Sequence, residues 1–387
     1  MSANNLNERF ELIYGYKPNL NYFAPGRINL IGEHIDYSGG HVFPCAITQG
    51  TYATVSVRDD NTIRLASDNF KDLGIYEFTL DSLDFKAEDD WTNYVKGFIK
   101  ILKDDGYLVD KGFDVLYYGN IPNGAGLSSS ASLEMLTGVF VKDINNLDIT
   151  DIDLVKIGMR TENEYIKVQS GIMDQFAITM GQKDKAIYLN TNNLEYELVP
   201  LKLNDYVIVI MNTNKRRGLN DSKYNERRSQ CESALEILNT VHAEKYLCDH
   251  PLSRLEEHLD LFQDELVYKR ARHAITENLR VLKAKEVLQN NDLESFGKLM
   301  NASHDSLRDD YDVTGIELDT IVSLAIAQDG VLGARVTGAG FGGCAIALVK
   351  GDIVDSFTKK VGELYAKEIG YEADFYIATP AQGAHKI

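Results

Sequence analysis

At 387 residues the chain is longer than the size at which one hydrophobic core usually stops growing, so one large domain or two packed halves is expected. With 44% hydrophobic and 25% charged residues it has ordinary globular composition, and its core needs no disulfide or metal staple. A formal net charge of −18 excludes nucleic acid as the main partner, because binding there rests on neutralising phosphates; a small anion can still be held by converging backbone N–H groups.

In chain order, MSANNLNERFELIYGYKPN at the start has no cationic residues followed by an apolar run, and no stretch reaches the ~20 apolar residues that cross a bilayer. A cytoplasmic, soluble protein is expected, with Cys45, Cys231, Cys248 and Cys344 as free thiols, since no two form a CxxC pair. Residues 26–41, GRINLIGEHIDYSGGH, then gather Arg27, Glu33, His34, Asp36 and His41. A metal site is disfavoured there: Glu33 and His34 are adjacent and on an extended chain face opposite sides, and no zincin spacing or cysteine accompanies them. His41 is read as structural.

TYATVSV (51–57), FDVLYYG (113–119) and AIYLN (186–190) are rich in β-branched and aromatic residues and predict strands. SLEMLTGVFVKDIN and the stretch from Leu154 to Val168 predict helices. Between strand and helix lies IPNGAGLSSSASLEM (121–135). Gly124 and Gly126 permit a tight turn, and the serines add hydroxyl donors at a helix N-terminus, where the macrodipole favours an anion. Four serines exceed what an N-cap requires, and no Lys-Ser or Lys-Thr follows, so this is a phosphate loop but not a Walker P-loop. SGIMDQFA (170–177) sets Asp174 in an apolar context, and a buried carboxylate needs partners, so Asp174 is a candidate functional acid.

VIVIMN (207–212) predicts another strand, after which residues 222–310 form an amphipathic helical block, with Ala271, Ile275, Leu279 and Leu282 expected on one buried face. KRRGLNDSKYNERR (215–228) carries six basic residues and reads as a solvated helix start. TGAGFGGCAIALV (337–349) contains a literal GxGxxG, but CAIALV after it reads as a strand where a dinucleotide site needs a helix. Close packing against a ligand and a plain glycine-rich hairpin both remain open for it. DFYIATPA predicts a last strand. Mixed elements in both halves predict an α/β fold of two packed lobes, residues 1–205 and 206–387.

Taken together, PGRINLIGEHIDYSGG, GAGLSSSAS and TGAGFGGCAIAL resemble the three motifs of the GHMP kinases, and with SGIMDQFA and WTNYVKG (91–97) the chain is similar to the galactokinases within them. Ile35 departs from the threonine usual there. The resemblance implies a two-lobed GHMP kinase fold with mixed sheets, the active site in the cleft between lobes, and transfer of the γ-phosphoryl group of ATP to the anomeric hydroxyl of galactose. It implies nucleotide contacts from Ser67, Trp91 and the loop Gly124, Ala125, Gly126, Leu127, Ser128, Ser129 and Ser130, with Mg²⁺ on Ser130 and Glu162. For the sugar it implies Glu33, His34, Asp36, Gly171, Asp174 and Tyr224. Asp174 is the implied general base, with Arg27 between it and the γ-phosphate, stabilising charge on the transferring group. An N-acetylgalactosamine kinase and a non-catalytic galactose and ATP sensor are the alternatives. The complete GLSSSAS loop, Arg27 and Asp174 favour catalysis.

Overall fold

The computed structural model describes residues 3–122, 125–215 and 220–387. Among these, a six-stranded sheet runs in the order His385–Lys386, Leu20–Asn29, Pro44–Val57, Phe113–Gly119, Thr62–Ser67, Tyr76–Thr79. Every neighbouring pair is antiparallel except Thr62–Ser67 with Phe113–Gly119, which are parallel and joined through the helix Thr92–Asp104. A second, fully antiparallel sheet has the order Val331–Thr337, Cys344–Lys350, Tyr206–Asn212, Asp374–Ala378. A small third sheet pairs His41–Val42 with Lys185–Asn190 and that strand with Tyr196–Pro200. The mixed α/β fold read from the sequence is the one observed, and the strands expected at 51–57, 113–119, 186–190 and 207–212 all form.

Local chemistry explains the elements that matter for function. The register between Leu20–Asn29 and Pro44–Val57 shifts between Pro25 and Gly26. Proline has no N–H for the ladder, and a bulge at that point re-aims the strand just before Arg27. Helix Ser129–Asn145 packs on both of these strands, burying Ala131, Met135, Leu136, Phe140 and Val141. Strand Cys344–Lys350 directly follows the GxGxxG loop, so the dinucleotide reading is excluded by topology. All four cysteines are buried and none is in a disulfide. No helix among the described residues is long and apolar enough to cross a membrane.

Three expectations need correction. Helix Asp151–Arg160 does not run on to Val168: it widens into a π-helical turn, Thr161–Ile166, and stops at Lys167, whose φ is +72°. In helix Glu265–Gln289, Ala271 and Ile275 are buried, but Leu279 and Leu282 are 49% and 41% exposed. The buried face instead carries Arg270, Ala271, His273, Ala274, Glu277, Val281 and Ala284. In the basic run at 215–228, of which 216–219 lie outside the described residues, the expected solvated helix start does not hold at Arg227 and Arg228. Arg227 is buried, donating to the carbonyls of Tyr311 and Asp312, and Arg228 donates to the carbonyl of Gln169.

Candidate active site

Arg27 leaves its strand with its guanidinium almost wholly buried, and forks onto Asp174: Nε to Oδ1 and Nη2 to Oδ2, each 2.8 Å. Its remaining nitrogen, Nη1, donates to the carbonyl of Gly126 at 2.7 Å. The main-chain N–H of Arg27 donates to the carbonyl of Leu127. One side chain therefore joins the candidate acid to the serine-rich loop, with the planar fork geometry that only arginine offers. Ser128 Oγ also donates to Asp174 Oδ2.

These groups face a cavity of about 170 Å³. Its walls include Arg27, Glu33, His34, Asp36, Ser130, Glu162, Gly171, Asp174, Tyr224 and the third glycine motif from Gly338 to Phe341. The residues that were expected to contact a sugar are thus brought together, although they come from segments up to 191 positions apart in sequence, Glu33 to Tyr224. Glu33 and His34 share this cavity despite being adjacent, because His34 adopts φ +61° and the chain there is not extended. The alternation argument used against a shared ion site does not apply at this turn. The metal reading still lacks support: no group of three or more His, Cys, Asp or Glu side chains that could hold a metal occurs among the described residues.

Electrostatics separates the carboxylates. Burial pushes Glu33 up to about 7 against the pull of Arg335 and Arg27, while Asn29 and the N–H of Gly338 donate to it. Burial, with Asp174 close by, raises Asp36 to about 6, although the N–H of Met173 donates to its Oδ2 at 3.2 Å. Gly171 is required here: a Cβ at that position falls 2.0 Å from Asp36 Oδ2. Gly338, at φ +81°, lets the third motif cross the serine-rich loop, where a Cβ would meet the Gly126 carbonyl at 2.5 Å. Behind Asp174, Gln175 donates to the fully buried Glu134 at 3.0 Å.

Glu162 lies in the π-helical turn, a device that recurs at functional sites, and accepts from Ser130 Oγ at 3.0 Å. Burial raises its carboxyl, with the hydroxyls of Ser170 and Ser130 opposing and Asp174 reinforcing the shift. Two oxygen donors facing open space suit a hard cation that keeps phosphates and waters as its other ligands.

A second cavity, of about 260 Å³, contains Ser67 and Trp91 together with Asn69, Phe70, Tyr94 and Tyr117, and reaches Ser129 and Ser130. Ser130 thus borders both cavities. Trp91 meets Tyr76 and Tyr117 edge-on, and its buried Nε1 has no partner. Ala125 and Leu127 are buried and line neither cavity, and Gly124 lies outside the described residues. The sequence reading missed Asn69 and Phe70, and Tyr94 although it lies within the WTNYVKG motif. For the third glycine motif it left close packing against a ligand open beside a plain hairpin, and the structure sets Gly338 to Phe341 in the wall of the first cavity.

Family models place this arrangement. A galactokinase galactose-binding signature matches residues 8–57, the GHMP kinases N terminal domain residues 93–182, and the GHMP kinases C terminal domain residues 284–367. Over 382 residues the chain is 56% identical to a galactokinase of Enterococcus faecalis, covering 99% of each chain. It is 56% identical to a galactokinase of Streptococcus mutans, covering 100% of this chain and 99% of the other. Among solved structures, a Lactococcus lactis galactokinase complexed with galactose superposes with a TM-score of 0.97 at 50% identity over 99% of both chains. A mevalonate kinase, at 20% identity and a TM-score of 0.65 over 94% of this chain and 100% of the other, shares the fold.

Proposed function

The chain belongs to the galactokinases of the GHMP kinase family, and on that premise we propose that it transfers the γ-phosphoryl group of ATP to the anomeric hydroxyl of galactose, giving galactose 1-phosphate and ADP. The observation that carries the residue-level reading is the Arg27 fork, which ties Asp174 to the serine-rich loop at the junction of two cavities. Galactose occupies the smaller cavity against Glu33, His34, Asp36, Gly171 and Tyr224. The adenine end of ATP occupies the cavity of Ser67 and Trp91, and its phosphates run along the loop from Gly124 to Ser130. The anomeric oxygen attacks the γ-phosphorus, the bond to the β–γ bridging oxygen breaks, and Asp174 accepts the hydroxyl proton. Arg27 stabilises the charge of the transferring group, and such reactions rest chiefly on positioning of this kind.

Ser130 and Glu162 would hold Mg²⁺, which supplies neutralisation of phosphate charge when bound. Replacing them together, Ser130→Ala with Glu162→Gln, raises the Mg²⁺ concentration for half-maximal activity by about tenfold or more, since affinity follows the charge and number of ligands. Calorimetric titration of ADP with and without Mg²⁺ reads the same loss in binding. An unchanged titration removes both residues from this role. The lobes 1–205 and 206–387 and a cytoplasmic location complete the proposal.

ADP release measured across galactose, N-acetylgalactosamine, glucose, mevalonate and homoserine tests the substrate. Galactose is expected to give the highest kcat/KM. Preference for N-acetylgalactosamine would move the assignment to that sugar, and turnover of a non-sugar alone would end it.

A further inference from the structure

The imidazole of His34 is enclosed by protein partners on both nitrogens. Nε2 lies 3.0 Å from the main-chain oxygen of Ala339, and Nδ1 lies 2.8 Å from the hydroxyl of Tyr37. A carbonyl oxygen only accepts, so Nε2 carries the proton, and in the neutral ring Nδ1 must then accept. Tyr37 has one hydroxyl hydrogen and gives it to Nδ1. Its oxygen therefore accepts from Tyr311, 2.8 Å away, and Tyr311 in turn accepts from the Cys231 thiol at 3.1 Å. The chain of donors runs one way, from Cys231 through Tyr311 and Tyr37 to His34 and on to Ala339, with each hydrogen used once.

From this geometry we propose that the His34 ring is a brace rather than a hydrogen-bonding ligand of the sugar, and that Tyr37 and Tyr311 are the positioning residues that hold it. Both ring nitrogens are spent, so the wall His34 gives to the cavity is main chain and ring edge. Burial lowers its basicity to about 4, which keeps the ring neutral and the donor order fixed. The brace has a visible load. His34 sits at φ +61°, a conformation unusual outside glycine, and its ring packs 5.3 Å from the ring of Tyr224 and 4.9 Å from that of Tyr311. A second imidazole, His273, packs tilted against Tyr311 with ring centroids 4.4 Å apart and meets the Glu33 carbonyl at 3.1 Å. Tyr311 comes from a π-helical turn, Leu307–Tyr311, Cys231 from the helix Asn220–Asn239, and Ala339 from the third glycine motif. Three separate segments of the second half of the chain thus set the shape of the turn at 33–36 and the seat of Tyr224.

This inference rests on the sugar reading of the cavity. Histidine labelled with ¹⁵N in the full-length protein, with galactose added and withheld, reports the tautomer; steady-state kinetics of Tyr37→Phe and Tyr311→Phe report the positioning. His34 is expected as the Nε2–H tautomer, with both nitrogen signals keeping their partners at saturating galactose. Tyr37→Phe leaves Nδ1 buried without a donor and is expected to raise KM for galactose about tenfold, with kcat changed by less than about threefold. Tyr311→Phe moves KM in the same direction by less, and KM for ATP stays constant in both. An Nδ1–H tautomer, a new nitrogen partner on adding galactose, or wild-type KM in Tyr37→Phe overturns the proposal. Should Tyr37→Phe fail to fold, the tautomer measurement on the unaltered protein and Tyr311→Phe decide it. Wild-type protein that does not turn over galactose overturns the sugar reading and this role with it. An active wild type with unchanged variants overturns this role alone.

Discussion

Asp174→Asn is expected to lower kcat by about 10²–10⁴-fold at saturating galactose and ATP, the range for losing a positioned proton acceptor. The asparagine keeps the shape of the carboxylate but presents an N–H₂ toward one arm of the Arg27 fork, where Nε and Nη2 each donate at 2.8 Å. Arg27→Ala is expected to cost about 10²–10³-fold in kcat, as for removal of one donor aimed at developing charge. It also strips two donors from Asp174 and one from the Gly126 carbonyl. Arg27→Lys does not restore activity, because an ammonium is a single point and cannot span two carboxylate oxygens and a carbonyl. The double variant is expected to lose little more than the worse single one, since the two side chains act as one unit. The measurement is kcat by ADP release at saturating substrates, with circular dichroism to confirm folding. Near-wild-type kcat in Asp174→Asn removes the base, and in Arg27→Ala it removes the charge-stabilising partner.

The halves of this pair lie 147 positions apart, and each was visible in the sequence for a different reason. Arg27 stands in a dense cluster of polar groups and glycines, and Asp174 is a carboxylate set among apolar neighbours. Chemistry that recurs as short motifs is legible because the loop needs those residue types wherever the chain folds. The strands were legible from β-branched and aromatic runs. The helix Glu265–Gln289 was legible as a helix but its buried face was not, since periodicity of apolar residues assumes that the buried face is the apolar one. Here Arg270, His273 and Glu277 turn inward while Leu279 and Leu282 stay exposed. Their burial is set by partners far away in sequence: His273 meets the Glu33 carbonyl and Glu277 accepts from the N–H of Gly32. No local pattern encodes such pairs. The π-helical turn at Thr161–Ile166 escaped for a similar reason, because apolar spacing cannot distinguish a widened turn from a regular one.

Arg335→Met is expected to destabilise the fold by about 3–5 kcal/mol at pH 8, the cost of removing one partner from a buried ionic cluster. Arg335 is fully buried on strand Val331–Thr337, 3.8 Å from Glu33 and 3.7 Å from Glu277, and donates to the Asn29 carbonyl at 3.0 Å. The two carboxylates that flank it differ. Burial raises Glu33 to about 7, while for Glu277 burial is outweighed by Arg280, Arg335 and the Ser303 hydroxyl, which bring it down to about 2. Removing Arg335 drives both upward. A carboxyl whose folded value lies above its unfolded one binds more protons when folded, so its contribution to stability falls as pH rises between the two values. The depressed Glu277 now contributes stability above its unfolded value, and that contribution shrinks once Arg335 is gone. The Glu277 part is already complete at pH 5, and the Glu33 part opens only above about 7, where the unaltered protein stops losing stability and the variant continues. The destabilisation of Arg335→Met is therefore expected to stay level from pH 5 to near pH 7 and to grow towards pH 8. Urea denaturation across that range measures it, and a loss that is independent of pH would show that Arg335 acts through packing and the Asn29 hydrogen bond rather than as a counter-charge. The consequence reaches the site directly, because Asn29 donates to Glu33 and the turn that carries Glu33, His34 and Asp36 starts from that residue. A variant that still folds at pH 6 is therefore expected to bind galactose more weakly there, with kcat at saturating sugar less affected than KM.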